Sequence, residues 1–233
     1  MVDLVILLIL AIAVLAGYYR GVVYSAISLG LTILSFFLAL LCIPLLTGSF
    51  KNRDTIYPMM LYYFEGYEYI SNTSVEMVHY PVTQVTDDEL ELIVSNADMP
   101  IPLDSAVKHN VKSEQYQGLG IYTLGDYFNQ TVVDVVINIL SLLILFLIIR
   151  LLLGFGLHIT DYAVGGLPVL QRFDVPISLG IGFLQGVVLV FIIFMLVPVM
   201  LSVVPQMSEY IQNSILGRFF YHANLFLRMI PSH

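Results

Sequence analysis

Between Val22 and Leu46, Val132 and Leu153, and Ile177 and Val204 the chain runs on almost without charge, with only Asp134 and Arg150 interrupting the second stretch. A helix rises about 1.5 Å per residue, so ~20 apolar residues cross a ~30 Å hydrocarbon layer, and each of these runs is that long. Lipid offers no water to backbone N–H and C=O groups, so segments of this kind must be helices that satisfy those groups internally. The run from Leu4 to Tyr18 is shorter. About 15 residues span only ~22 Å, so this piece is expected either to cross where the bilayer thins or to be re-entrant. It reads as a retained span and not as a cleaved signal, because Asp3 stands where a signal would be basic and the second run follows at once.

The fold class that follows is an all-α membrane protein with about four transmembrane helices. Its expected parts are a transmembrane hairpin over 1–46 (spans 4–18 and 22–46), an acidic segment 47–130, a second hairpin over 131–204 (spans 132–153 and 177–204) and an amphipathic tail helix over 205–233. Composition enters the argument here. The chain is 58% hydrophobic and 11% charged, far from the mix a water-facing surface requires. Most of its acidic residues fall between Asp54 and Asp126, and its net charge of -8 comes with no cluster of lysine or arginine, which excludes nucleic-acid binding. Cys42, the single cysteine, lies in an apolar run and can form no internal disulfide.

Gly17-Tyr18-Tyr19-Arg20-Gly21 predicts a tight turn between the first two runs, combining interfacial aromatics, a charge and two permissive glycines. Short-loop basic residues mark the cytoplasmic side, and Arg20, Arg150 and Arg172 fall on one side in this arrangement. They are read as cytoplasmic anchors. Both termini and segment 47–130 then face outward, with Lys51 and Arg53 as counter-examples. Within that segment Thr86 and Glu89 form a capping-box pattern that predicts a helix over 87–96, ended by Met99-Pro100-Ile101-Pro102. In the tail, Ile211, Ile215, Phe219, Phe226 and Met229 recur at helical spacing with Ser214, Gly217, Asn224 and Arg228 opposite. That pattern predicts a helix lying on the membrane surface or packed on the outward segment.

Small residues at four-residue spacing let helices approach closely in lipid. Gly17, Gly21 and Ser25 form one such row, and Ser178, Gly182 and Gly186 form another. They are read as helix-packing positions, within one chain or in a homo-oligomer. Gly17 to Val23 is also echoed by Gly182 to Val188, as a weak internal repeat or by chance. Asp134 and Arg150 are the two ionisable residues within the spans, and ~24 Å separates them along a helix, too far to pair. Each is expected to snorkel to its nearer interface; Asp134 is kept as an intramembrane polar candidate. The five histidines lack metal-site spacing, no phosphate-binding loop is present, and the serines of the spans have no histidine companion. No catalytic residue, cofactor or metal is therefore expected.

The opening Asp3, Gly17 and Arg20-Gly21, with Leu167-Pro168-Val169-Leu170, Asp174 and Gly182-x-x-x-Gly186 further on, resembles the colicin V production protein family of bacterial inner-membrane proteins. Gln185 and Val175 stand where those relatives often carry basic residues, and segment 47–130 is much longer than their usual loop. The resemblance implies a multi-pass protein of the bacterial cytoplasmic membrane, linked to toxin production or export and envelope maintenance, with no enzymatic activity assigned. The expected role is a membrane scaffold or accessory factor with the lipid bilayer and envelope proteins as partners. The alternative is a small channel or transporter subunit.

Overall fold

The computed structural model describes residues 1–51, 53, 55–64, 66, 68–71, 75–159, 174–204 and 206–232. Its elements are helical: α1 (Val2–Lys51), α2 (Ile56–Tyr63), α3 (Glu68–Ser71), α4 (Asp87–Asn96), α5 (Leu103–Lys112), α6 (Leu124–Ile159), α7 (Asp174–Phe194), α8 (Val197–Val203), α9 (Met207–Gln212) and α10 (Ile215–His222), with short 3-10 turns among them. Three helical stretches are long and apolar enough to cross a membrane: Val2–Lys51, Leu124–Gly156 and Asp174–Val203. The chain divides into two compact units. One holds Met1–Pro44, Ser141–Phe194 and Ser208–Asn224, and the other Leu45–Leu140, Met195–Met207 and Leu225–His233.

In the first unit α1 is broken at Gly21, whose φ of 76° and ψ of 171° are not helical. Glycine alone adopts that φ without strain, which is why the break falls there. Ser25 Oγ donates to the carbonyl of Gly17 at 3.3 Å, although eight residues of straight helix would separate them by ~12 Å. The chain must therefore double back. Helix α7 gives the direction of both arms. Gly17 meets Gly182 while Leu10 and Ala13 meet Gly186, so the first arm runs antiparallel to α7. Val22 meets Asp174 while Ser28 meets Gln185, so the second arm runs parallel to it. The turn expected over Gly17 to Gly21 is a helical hairpin. Asp174 closes it, accepting at 2.8 Å the Val22 N–H that the break leaves unbonded.

In this unit polar as well as apolar side chains are buried, and many large apolar ones are exposed. Ser25, Ser28, Thr32 and Ser35 are buried along one face of the second arm, while Leu4, Leu8, Leu41, Leu151 and Phe155 are exposed. Lipid-facing leucines cost nothing, whereas hydroxyls need partners; Thr32 and Ser35 find theirs in the carbonyls of Ser28 and Leu31, one turn back.

The tail corrects the expectation in one respect. It is not one helix: Ser214 is extended (φ -103°, ψ 130°) and caps α10, its Oγ accepting from Gly217 N–H at 2.8 Å. Of the expected apolar face Ile215 and Phe219 are exposed and Ile211 is buried, while on the polar side Asn224 is 1% exposed and donates to the carbonyl of Phe191. The Asp3 carboxylate accepts from Ser214 Oγ at 2.7 Å and Leu216 N–H at 2.8 Å and so draws the polar edge of α10 inward.

The second unit is built around the first half of α6. Leu124, Tyr127, Phe128, Val132, Val133, Val135, Val136 and Ile137 are all buried, so this stretch is enclosed on every side by protein. Helix α6 thus begins at Leu124, eight residues before the apolar run that announced it. Gly66 lies so close that a Cβ would fall 2.5 Å from the Phe128 carbonyl oxygen. The capping box at Thr86 and Glu89 is formed and α4 covers Asp87–Asn96, as the sequence predicts. Helices α4 and α5 pair antiparallel, Lys112 on Asp87 at 3.0 Å and Lys108 on Glu91 at 3.1 Å. Their buried apolar edges, Leu90, Ile93 and Val94 with Leu103, Ala106, Val107 and Val111, are the larger stabilising term, since exposed ion pairs contribute little.

Candidate functional site

Asp134 sits on the enclosed half of α6 and is 1% exposed. A lone carboxylate there would be costly, so its partners decide whether the site is tenable. Lys51, at the end of α1, places Nζ 3.0 Å from Oδ1. Tyr116, in the turn after α5, donates its phenol to Oδ2 at 3.1 Å, and Tyr57 of α2 approaches Oδ1 at 3.5 Å. Gln130, one turn earlier on α6, donates to Oδ1 at 3.4 Å and also to the Tyr57 phenol. The expectation that Asp134 snorkels to an interface is corrected: it is held inside protein by groups from three other segments.

A second layer holds the first. Asn110 Nδ2 lies 2.9 Å from the Tyr116 phenol, 3.1 Å from Thr131 Oγ1 and 2.7 Å from the Ser232 carbonyl, while its Oδ1 is buried without a partner among the described residues. The Tyr116 N–H donates to the Tyr127 phenol, and the two rings lie tilted against each other with centroids 5.1 Å apart. The Tyr57 pKa is pushed up to about 12 by burial and then by the Asp134 charge, and Tyr116 is raised by the same causes in the same order. Both phenols therefore stay protonated and act as donors. Lys51, Tyr57, Gln115, Tyr116, Gly118, Leu119, Gln130 and Asp134 wall a cavity of about 600 Å³. That volume falls within the range of small-molecule sites.

The other residues singled out by sequence fall elsewhere. A Cβ on Gly17 would lie 2.5 Å from the Ser178 carbonyl oxygen, and one on Gly182 would lie 2.7 Å from that of Ala13. Gly186 faces Leu10 and Ala13, and Gly21 forms the turn itself. Gly186, the echo of Gly21, lies within continuous helix, so the two copies of the Gly17 to Val23 pattern are not structural equivalents. Arg150 does not snorkel freely: Nε donates to Thr32 Oγ1 at 3.2 Å and Nη2 to Ser28 Oγ at 2.9 Å. Arg172 and Leu167-Pro168-Val169-Leu170 lie outside the described residues. Sequence reasoning missed Lys51, Tyr57, Tyr116 and Asn110 as partners of Asp134. Only Gln130 carried a usable signal, its four-residue spacing on a helix.

No curated protein and no solved structure matches the chain. The sequence model of the colicin V production protein family matches residues 2–78, which takes in the α1 hairpin, Lys51 and Tyr57 but not Tyr116, Gln130 or Asp134. Over residues 2–78 the chain is thus similar to the colicin V production protein family, the family to which Gly17, Arg20 and Gly21 pointed.

Proposed function

We propose that this membrane protein is a non-enzymatic scaffold or accessory factor of the bacterial cytoplasmic membrane, acting in toxin export or envelope maintenance. In this reading the two arms of α1, α6 and α7 make four crossings, the Arg20 end faces the cytoplasm, and the helical unit around the first half of α6 faces outward. The cavity walled by the Asp134 network carries the reading. It is a recess walled by hydrogen-bonded polar groups, of a volume that suits binding. A photo-crosslinking residue placed at Leu119, which is 70% exposed, is expected to capture a discrete envelope partner in intact cells. An inserted, folded chain that yields no adduct from this position would remove the reading. Cysteine labelling tests the topology: Leu119→Cys should react from outside and Arg20→Cys only from the cytoplasm.

A small channel or transporter subunit is the second reading. The helix break at Gly21 favours it, since interrupted helices often frame transport sites. Liposomes containing the purified chain should then pass ions or small solutes, and tight liposomes would rule it out.

A further inference from the structure

A guanidinium has five N–H donors and cannot be deprotonated in a protein, so an arginine inside a membrane-spanning helix asks for an anion. Arg150 has none among the described residues, where the ion pairs are those of Lys51, Lys108 and Lys112. Its hydrogen bonds go to neutral hydroxyls, Thr32 Oγ1 and Ser28 Oγ, and Ser28 also receives Gln185 Nε2 at 3.1 Å. These contacts aim the fork without neutralising it. Asp174, the carboxylate at the same hairpin, accepts from the Val22 N–H and takes part in none of these ion pairs. The remaining nitrogen, Nη1, passes Gly154 so closely that a Cβ there would stand 3.2 Å away, and it makes no hydrogen bond among the described residues. Exposed Arg20 is a second cation close enough to act on Arg150. Around them Leu151, Leu152 and Phe155 are exposed, Phe155 to 70%, which makes an apolar collar beside the two arginines.

We propose that Arg150 and Arg20, steadied by Ser28, Thr32 and Gln185, bind a phosphate group, that of an anionic phospholipid whose acyl chains lie on the Leu151, Leu152 and Phe155 collar. A phosphate diester supplies the acceptors that a planar fork engages two at a time, and one negative charge between the arginines removes their mutual repulsion. The site is independent of the Asp134 cavity. Lipid retention by the full-length chain tests it, measured by native mass spectrometry after extraction from vesicles of equal parts phosphatidylcholine and phosphatidylglycerol. Retention should favour phosphatidylglycerol by about fivefold per arginine. Arg150→Gln should abolish most of the preference, Arg150→Lys should keep part of it, and Arg20→Gln, at an exposed position that does not threaten folding, should lower it about fivefold. Titration of the delipidated chain with inorganic phosphate separates the sources. Measurable binding supports a free-phosphate site of the same chemistry, whereas lipid selectivity without it supports the headgroup. Equal retention of both lipids by the unaltered chain, with no phosphate binding, overturns the proposal.

Discussion

At Asp134 the two members of an ion pair are not equally dispensable. The carboxylate is 1% exposed, whereas the Lys51 side chain is 36% exposed and can turn to water if its partner is lost. Lys51→Met leaves a buried anion with only phenol and amide donors, and is expected to cost about 3 kcal/mol. Asp134→Asn keeps the shape and releases a lysine that rehydrates, so it should cost about 1 kcal/mol. Thermal unfolding of both variants in the same detergent checks the order, and equal losses would contradict it. Tyr57 adds a dependence on pH. Its pKa lies near 10.0 when unfolded and is raised to about 12 when folded. A raised folded pKa means stability that is whole below pH ~10 and lost as pH climbs towards ~12. Tyr57→Phe should flatten that part of the stability curve, with Tyr116, raised in the same direction, supplying what remains.

Among the elements, the α1 hairpin and α7 meet backbone to backbone. Gly182→Ala would put a Cβ 2.7 Å from the Ala13 carbonyl oxygen, with backbone on both sides and nothing flexible to yield. A loss of about 1–3 kcal/mol is expected, the usual cost of overpacking. Gly180→Ala, two residues away on the same helix, meets nothing within 4 Å and should instead stabilise by up to about 1 kcal/mol through helix propensity. Opposite signs at the two positions, measured as melting-temperature shifts, would separate packing from composition. The tail answers to a similar logic. Asp3→Ala removes the acceptor shared by Ser214 and Leu216 and should free α10, visible as faster amide exchange over 215–222.

For the whole molecule, α6 is one apolar helix in two environments. Its best spanning window is 61% buried by protein against 28% for that of α1. Val135→Cys should therefore resist a lipid-soluble maleimide, while Leu151→Cys, on the exposed collar, should react readily. Equal reactivity would mean that the first half of α6 is not enclosed as described.

Much of this architecture is written in local chemistry. Charge-free runs of sufficient length oblige helices in lipid, Gly21 obliges the break, and Thr86 with Glu89 obliges the start of α4; each is decided within a few residues of itself. The carboxylate site could not be read in that way. Asp134 shares a helix with Gln130, but Lys51, Tyr57 and Tyr116 reach it from segments distant in sequence, and nothing in their spacing records the meeting. The break in the tail at Ser214 escaped for the same reason: it is held by Asp3, 211 residues away in sequence. By itself the sequence determined that this chain is helical, membrane-bound and folded back at its first glycine pair, because those outcomes follow from solvation and backbone sterics. Only the tertiary structure decided which polar groups are neutralised and which, like Arg150, are left asking for an anion, because charge compensation depends on distances that only the folded chain defines.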